Sequence, residues 1–458
     1  MNSSLIHLRR AGSVKLRDVA IGANASIYYK LDFKRIKGVF YPRTTGELSQ
    51  VIKMASEKGL DITMKGGGSG LSGACTGGDS ERVMVSTLQM NDIISVNLKG
   101  GYADVETGVT PDELNARIGV DGYKFWVAPS SRDIATVGGL ISTDGGGNDA
   151  WVNGTMRDNT IWVKMLLSTG DEITVSHEGV RADDSELEAR LNEIGMNLGD
   201  VASAHGTLGA ITKMRLKIKP IDGQRLRGGI AEFEDANALG NALAKMIDKQ
   251  IPIAYGESIV YAHPHIKSIL NPPLLILEYP EASHDVLSDI TNMRQLSRNE
   301  TDAMKAIRLQ LPKRNPNEGV QIALFEGYGF HDQSLARLQE AVDRIHALLM
   351  ENEFVPFAQY GHAPSKWYLG DNTPAYGIIM HSREIQPADK SGIEKFKVVK
   401  QIVNLCKELD ITPKPEHKWI FSDKTKLDRL RELRSVVGTR FNSFVLDPNC
   451  DRILEAMA

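Results

Sequence analysis

The chain has 458 residues, of which 41% are hydrophobic and 24% charged, a composition typical of a globular protein with two or three domains. Lys and Arg number 54 against 58 Asp and Glu, so the net charge of −4 gives no electrostatic reason to expect nucleic acid or an anionic membrane as a partner. No apolar run approaches the roughly 18–20 residues of a transmembrane helix.

The three cysteines, Cys75, Cys406 and Cys450, stand far apart and form no CxxC pair. We therefore expect no iron–sulfur cluster or structural zinc held by this chain alone. Arg9 and Arg10 are not followed by an apolar core, so no secretory signal is expected. These features predict a cytoplasmic protein in a reducing setting, or one held at a membrane surface through a partner.

The first predicted elements are an N-terminal arm with a short helix over residues 1–36, then a strand, a helix and a second strand. The helix starts with Thr-Thr-Gly-Glu, which supplies capping groups, and ends at Lys58-Gly59. Its apolar residues recur at helical spacing: Leu48, Val51, Ile52 and Ala55. Residues 60–64 predict the second strand.

A glycine-rich loop follows that strand, with seven glycines between Gly66 and Gly78. Glycine at this density costs conformational entropy on folding, which favours a loop whose backbone closely approaches a ligand and points N–H groups at an anion. We interpret it as the cradle for the pyrophosphate of a dinucleotide. Gly68–Gly73 also matches G-x-G-x-x-G, but no amphipathic helix opens from it, so a Rossmann fingerprint is not supported.

The chain continues with predicted strands at 82–86, 93–96 and 101–108 and a helix at 112–118. A second glycine-rich stretch covers residues 128–147. A hairpin turning at Thr169–Asp171 follows, and a strand at 213–219 closes this half at Pro220.

Six spaced motifs in this half now resemble those of one family: Pro42-Arg-Thr, Lys65-Gly-Gly-Gly-Ser-Gly70, Ala135-Thr-Val-Gly-Gly139, Asp144-Gly-Gly-Gly147, Gly154-Thr-Met-Arg-Asp158 and Gly206-Thr-Leu-Gly-Ala-Ile-Thr212. Together they look like the FAD-binding domain of the vanillyl-alcohol oxidase / p-cresol methylhydroxylase superfamily. Within it, the chain is most similar to the branch that contains the FAD-binding component of glycolate oxidase and D-lactate dehydrogenase. The resemblance covers roughly residues 36–220.

The resemblance implies an α+β fold in which two subdomains of residues 1–220 hold FAD. Carried over by position, the FAD-binding residues are Pro42, Lys65, Gly66, Gly67, Gly68, Ser69, Gly70, Leu71, Ser72, Pro129, Ser130, Ser131, Thr136, Gly138, Gly139, Ser142, Gly206, Leu208, Gly209 and Ile211. Covalent members of the superfamily place a histidine in the glycine loop where this chain has Ser69. We therefore expect non-covalent FAD.

The second half alternates strands with longer amphipathic helices: strands at 231–233, 274–279, 321–327 and 375–380, and helices at 236–250 and 334–351. This pattern favours a ferredoxin-like α+β cap over 221–405 that holds the substrate. Residues 406–458 are predicted to form a C-terminal helical segment that packs back on the FAD-binding domain. Phe444–Asn449 is similar to the Phe-Asp-Pro ending common in the branch.

Two late polar clusters carry the predicted chemistry. The resemblance implies a divalent metal such as Zn or Mn at His362 and His381, and a catalytic pair at Glu416 and His417. His362 and His381 stand nineteen residues apart, farther than in the family, and Lys418 replaces the family's glycine after His417. Ordinary strand-end histidines and a surface loop are the alternative interpretations.

Arg308, Lys313 and Arg314 form a basic group in the predicted cap. Arg308 and Arg314 could bind a substrate carboxylate or phosphate through charge-assisted hydrogen bonds. The alternative is a solvated face, which is the more frequent role of such residues.

The resemblance implies an FAD-dependent dehydrogenase that takes hydride from a 2-hydroxy acid such as glycolate or D-lactate. Electrons would pass to an iron–sulfur or quinone partner. Three alternatives stay open: oxidation of a sugar or polyol, NADPH-linked reduction, and an FAD-carrying subunit of a larger iron–sulfur complex with little activity alone. A homodimer is also compatible with the sequence.

Overall fold

The structure, a computed structural model, describes most residues beyond position 34. The described ranges are 35–70, 74–75, 80–127, 129–221, 223, 225–263, 271–310, 321–322, 328–369, 371–385, 392–413, 424–438 and 440–442. Except for its last two residues, the predicted N-terminal arm lies outside these ranges. Residues 444–449, with the predicted Phe-Asp-Pro ending, also lie outside them.

Three parallel strands form the first sheet, in the order β1 (Ile36–Phe40), β3 (Arg82–Ser86) and β2 (Asp61–Lys65). Helix α1 (Thr45–Glu57) connects β1 to β2. It begins after Thr44, whose side chain accepts a hydrogen bond from the Glu47 amide. Its buried residues are those of the predicted apolar face, so the predicted strand, helix and strand are confirmed.

A six-stranded antiparallel sheet forms the second layer of this half. Its strands, in spatial order, are β4 (Ile93–Asn97), β5 (Tyr102–Glu106), β10 (Ala210–Lys217), β7 (Thr160–Leu166), β8 (Glu172–Ser176) and β9 (Gly179–Ala182). β7 and β8 pair from Trp162 with Ser176 to Leu166 with Glu172, which confirms the predicted hairpin. A short ribbon pairs β6 (Tyr123–Lys124) with β11 (Lys219–Pro220).

Five helices connect these strands: α2 (Pro111–Gly119), α3 (Val137–Thr143), α4 (Ala150–Asn153), α5 (Ser185–Glu193) and α6 (Leu198–Val201). α2 begins with a complete capping box, in which Thr110 and Glu113 each accept a hydrogen bond from the other's backbone. α3 begins after Thr136 and ends at Asp144, which has a left-handed backbone. Both ends of α3 therefore lie in the second glycine-rich stretch.

The second half is built on a nine-stranded antiparallel sheet. Its spatial order is β15 (Arg294–Leu296), β12 (Leu226–Glu232), β14 (Leu274–Pro280), β13 (Tyr255–Ala262), β18 (Val355–Tyr368), β19 (Pro374–Ile385), β17 (Tyr328–His331) and β20 (Thr412–Pro413), with β16 (Gln321–Ile322) also paired to β19. The predicted strand 375–380 is longer than expected because β18 pairs with β19 along nearly its whole length.

The helices among the described residues of this half are α7 (Ala236–Asp248), α8 (His284–Ser288), α9 (Arg298–Gln310), α10 (Leu338–Glu351), α11 (Gly392–Glu408) and α12 (Lys424–Val437). Leu243 of α7 and Ile345 of α10 share a buried cluster with Val260 and Leu277 of the sheet. Side chains alternate between the two faces of a strand, so neighbours such as Ile259 and Ile276 lie on the opposite face, in a separate cluster. That opposite face carries the polar residues considered below.

The last described segment returns to the first sheet. The Ile62 amide donates to the Arg440 carbonyl at 2.9 Å, and the Asn442 amide donates to the Ile62 carbonyl at 2.8 Å. The Lys426 ammonium donates to the Gly199 carbonyl at 2.9 Å. These sheets and helices confirm the α+β class, while the domain boundaries at 220 and 405 stay predictions.

Candidate functional site

The glycine loop begins directly after β2, and its residues 66–70 are described, whereas Leu71 and Ser72 lie outside the described residues. Gly68 has φ of 69°. A Cβ built on Gly70 would meet nothing within 4 Å. The loop is therefore open to an approaching group at Gly70, as a phosphate cradle requires.

The glycine loop packs against the second glycine-rich stretch through its backbone. A Cβ on Gly66 would stand 2.3 Å from Thr136 Oγ1, and one on Gly67 would stand 1.7 Å from the Ile134 carbonyl oxygen. Both glycines therefore have a packing role, which the density of glycines alone did not indicate. Two segments that lie far apart in sequence thus form one surface.

The second glycine-rich stretch is held by hydrogen bonds around α3. Thr136 Oγ1 accepts from the Gly139 amide at 3.3 Å, and the Ser142 hydroxyl donates to the Gly138 carbonyl at 2.7 Å. A Cβ on Gly138 would stand 1.8 Å from Thr107 Oγ1. Close backbone contact therefore also explains Gly138.

The preceding turn, Pro129–Ser131, is joined to the start of α3. The Arg132 amide donates to the Pro129 carbonyl at 3.1 Å, and the Ala135 amide donates to the Ser131 carbonyl at 2.7 Å. These bonds connect the predicted binding residues 129–131 to Thr136.

The third predicted segment, residues 206–211, is joined to the second glycine-rich stretch at the turn that precedes it. The His205 amide donates to the Ser142 carbonyl at 2.8 Å. A Cβ on Gly209 would stand 2.7 Å from the Leu166 carbonyl oxygen. The side chains of Leu208 and Ile211 are buried in the hydrophobic core, so only their backbone could face a ligand. Pro42 is buried just before α1.

Asn442 joins these segments and was missed by the sequence analysis. Its Nδ2 donates to the His205 carbonyl at 2.6 Å, and its Oδ1 accepts from the Met64 amide at 2.9 Å. Asn442 is 3% exposed and 378 residues from Met64. No local pattern could have indicated it, because both partners are distant in sequence.

A row of polar side chains crosses the face of the nine-stranded sheet that lies opposite α7 and α10. Glu257 of β13 is paired in register with His362 of β18, and Tyr360 with His381 of β19, so all four side chains share one face. His362 Nδ1 lies 3.8 Å from Glu257 Oε2. The rings of His362 and His381 have centroids 5.5 Å apart. Neither histidine lies at a strand end, contrary to the alternative interpretation.

Glu257 was also missed, although it is a lone charge in the apolar strand Tyr-Gly-Glu-Ser-Ile-Val. It is fully buried and accepts a hydrogen bond from the Asn148 side chain. Asn148 and Gly256 also exchange two hydrogen bonds, each of 3.0 Å. The polar row is therefore tied directly to the half that carries the glycine loops.

The metal prediction gains no support from this geometry. Among the described residues, no group of three His, Cys, Asp or Glu side chains is arranged to hold a metal ion. Metal binding at His362 and His381 stays a prediction that needs a further ligand. Glu416, His417 and Arg314 lie outside the described residues, and Arg308 is on α9.

The Gly154–Asp158 motif joins the two halves at the β18–β19 hairpin. Arg157 forms an ion pair with Asp144 and donates to Asn372 Oδ1 at 2.7 Å. Asp158 accepts from Lys366 at 2.9 Å and from the Tyr368 hydroxyl. Burial, with the hydrogen bond to Asp158, raises the pKa of Tyr368 to about 12. Tyr368 therefore stays protonated and keeps this bond at neutral pH.

Among the described helices, none is both long and apolar enough to cross a membrane.

Comparisons with known proteins agree with this architecture. Residues 36–176 match the FAD binding domain family. The chain is 30% identical to a D-lactate dehydrogenase of Archaeoglobus fulgidus over 219 residues, which are 47% of this chain and 46% of that protein. It is 33% identical to a D-2-hydroxyglutarate dehydrogenase of Escherichia coli over 137 residues, 29% of this chain and 13% of that protein. The chain thus spans less than half the length of these curated relatives.

The fold is also similar to a solved structure of alkyldihydroxyacetonephosphate synthase. The TM-score is 0.64 at 16% identity, over 87% of this chain and 75% of that one. Such low identity shows the fold alone. The resemblance to the vanillyl-alcohol oxidase type of FAD-binding protein and the predicted fold class are confirmed.

Proposed function

Because residues 36–176 of this chain match the FAD binding domain family, we propose that it is an FAD-dependent dehydrogenase acting on a 2-hydroxy acid such as glycolate or D-lactate. The two relatives are named as dehydrogenases of D-lactate and of D-2-hydroxyglutarate, both 2-hydroxy acids. In this proposal the electrons then pass to a protein or quinone acceptor. The sequence has no CxxC pair.

The FAD is held by the three joined segments described above. Residues 66–70 present backbone N–H groups to the pyrophosphate, and residues 129–142 and 206–211 flank the remainder. When it is bound, FAD supplies the acceptor for the hydride that the substrate loses. With Ser69 in place of a histidine, the flavin is released whole on acid precipitation. A yellow pellet would contradict non-covalent binding.

The observation that carries the proposal is the polar row of Glu257, His362 and His381. A 2-hydroxy acid must lose its hydroxyl proton as hydride leaves the α-carbon, which requires a base near the reacting atoms. The row lies on a sheet face joined to the FAD-binding half by Asn148. Its imidazoles can orient the hydroxyl by hydrogen bonds, and His417 is the proposed base, with Glu416 beside it.

The test is an anaerobic flavin-bleaching screen with 2-hydroxy acids of both hands, with and without Zn²⁺ or Mn²⁺. We expect at least one acid to bleach the flavin absorbance. Protein that lacks flavin and cannot bind added FAD would overturn the proposal. Rapid bleaching by NADPH, with none by any acid, would favour the reductase alternative instead.

His417→Ala tests the proposed base. The variant is expected to retain FAD and to reduce it more slowly, by about 100-fold or more, the usual contribution of a general base. Stopped-flow absorbance measures the rate. His284→Ala is the control, because His284 contacts Tyr279 outside the polar row. Equal reduction rates for the His417 variant and the unmodified protein would remove His417 from the mechanism.

The acceptor is tested by comparing turnover with an artificial dye and with membrane quinone. Turnover of the isolated chain with the dye would rule out the alternative of an inactive FAD-carrying subunit. Co-purification with a cysteine-rich protein, with no turnover alone, would favour it.

A further inference from the structure

The end of the β18–β19 hairpin is held against the FAD-binding half by a group of side-chain contacts. Lys366 and Tyr368, at the end of β18, both donate hydrogen bonds to the Asp158 carboxylate. In the turn after β18, the Asn372 side chain accepts a hydrogen bond from Arg157 at 2.7 Å. These five residues are called the hairpin junction below. They join the strand pair that carries His362 and His381 to the other half of the chain.

The centre of the hairpin junction is buried. Arg157 is 4% exposed and forms an ion pair with Asp144, which ends α3. The Arg157 guanidinium also lies 4.2 Å from the ring centroid of Tyr368. A buried ion pair adds little net stability, because both charges lose their water. Its directed hydrogen bonds instead restrict how the hairpin can lie against α3, the helix that begins at Thr136 of the predicted FAD site.

The polar row has a separate attachment to the FAD-binding half. Asn148 exchanges two hydrogen bonds of 3.0 Å with the Gly256 backbone, and its side chain donates to Glu257. His362, which is paired with Glu257, stands four residues before Lys366, or about 13 Å along a strand. Contacts at two separated points fix the orientation of a sheet that a single contact leaves free to pivot. The orientation of the polar row therefore depends on the hairpin junction.

We propose that the hairpin junction positions the polar row against the flavin, so that Arg157, Asp158 and Tyr368 affect the reaction without contacting the substrate. This inference rests on the proposed function and adds positioning residues to it. β19, which carries His381, lies two strands from the Asn148 attachment on β13, or about 10 Å away. A pivot of about 6° moves His381 by about 1 Å, and a misplacement of that size can slow a reaction about 100-fold.

The test replaces part of the hairpin junction by a disulfide that can be opened and closed. A Cβ built on Gly199 would lie 3.1 Å from Asn372 Cγ, and its three nearest atoms are side-chain atoms of Asn197 and Asn372. Cysteines at positions 199 and 372 are therefore within reach of each other. Gly199→Cys, Asn372→Cys and Tyr368→Phe are combined in one triple variant. Its reduced form lacks the hydrogen bonds of Asn372 and Tyr368.

The first measurement is the rate of flavin reduction by stopped-flow absorbance. With the disulfide reduced and the reductant removed, the triple variant is expected to reduce its flavin about 10- to 100-fold more slowly at a saturating 2-hydroxy acid. The acid concentration that gives half of the maximal rate, and the FAD Kd from fluorescence quenching, are expected to change little. Closing the disulfide is expected to restore most of the rate, because the covalent bond again fixes the hairpin.

Hydrogen exchange of the Gly256 amide tests the hairpin junction without any reaction. This amide donates to the Asn148 carbonyl across the two halves, so its exchange reports on the other attachment. Its exchange is expected to be about tenfold faster or more when the disulfide is open, and to slow again when the disulfide closes. A hairpin junction that stabilises only its own surroundings would leave the exchange of Gly256 unchanged.

Tyr102→Phe is the matched control, because the Tyr102 hydroxyl accepts a hydrogen bond from Asn97 within one half. Both measurements are expected to be unchanged in it, and thermal unfolding establishes that each form is folded. Unchanged Gly256 exchange on opening the disulfide would overturn the proposal, and so would a reduction rate that closing it does not restore. If no 2-hydroxy acid bleaches the flavin of the unmodified protein, the proposed function fails, and Gly256 exchange alone decides whether the hairpin junction orients the row.

Discussion

The contact between the glycine loop and residues 134–136 can be broken by Gly67→Ala. The new Cβ would lie 1.7 Å from the Ile134 carbonyl oxygen, 2.7 Å from its carbon and 3.2 Å from the Ala135 Cα. All three are backbone atoms, so no side-chain rotation relieves the clash. The loop must move away from residues 134–136, and overpacking of this kind costs about 1–3 kcal/mol.

That cost divides between folding and cofactor binding. If the loop relaxes freely without FAD, the full cost falls on binding, and the FAD Kd rises about 5- to 140-fold because each 1.4 kcal/mol is about tenfold. If the loop is rigid, the cost instead lowers the free energy of unfolding of the apo-protein, which urea unfolding measures. Flavin fluorescence quenching measures the Kd, so the two measurements together account for the whole cost.

Gly119→Ala is the matched control. Nothing lies within 4 Å of a Cβ at Gly119, which ends α2. Alanine is favoured over glycine in a helix by about 1 kcal/mol, so this variant is expected to be unchanged or slightly more stable. Wild-type FAD affinity together with wild-type stability in Gly67→Ala would refute the close packing of the loop on residues 134–136.

Two further predictions concern stability. Asn442→Ala leaves the Met64 amide and the His205 carbonyl without their partner. We expect it to lower the free energy of unfolding in urea by about 2–4 kcal/mol and to weaken FAD binding. A loss below about 0.5 kcal/mol would contradict this role of Asn442. Folding raises the pKa of Asp149 from 3.8 to about 6, so the folded state binds the proton more tightly than the unfolded state does. The free energy of unfolding of the unmodified protein therefore falls as the pH rises from about 4 to 6. Asp149→Asn removes this pH dependence. Its free energy of unfolding, relative to that of the unmodified protein, is expected to increase by up to about 3 kcal/mol between pH 4 and pH 7. The same relative free energy at both pH values would contradict the shifted pKa.

The features that the sequence predicted well are local. The apolar spacing of Leu48, Val51, Ile52 and Ala55 defined the buried face of α1, and the turn at Thr169–Asp171 defined a hairpin. The order of six short motifs indicated the FAD-binding family. In each case the relevant neighbours lie within a few residues, or the motif is read along the chain itself.

The arrangement of the candidate site depended on contacts between distant segments. Gly66 and Gly67 meet residues 134–136 only after the two stretches fold together, and Asn442 reaches Met64 from 378 residues away. Glu257 acquires His362 as a neighbour through the register of β13 with β18. None of these pairings leaves a periodic trace in the sequence, because sheet register and backbone packing are set by the whole core.

The sequence by itself therefore determined the α+β class, the glycine loop and the family of its cofactor. Only the tertiary structure decided which polar residues lie together: Asn148 with Glu257, and Glu257 with the two histidines. The physical reason is that a binding loop needs backbone freedom, which glycine provides locally. A substrate site needs charges brought together from separate strands, and the fold alone sets those distances.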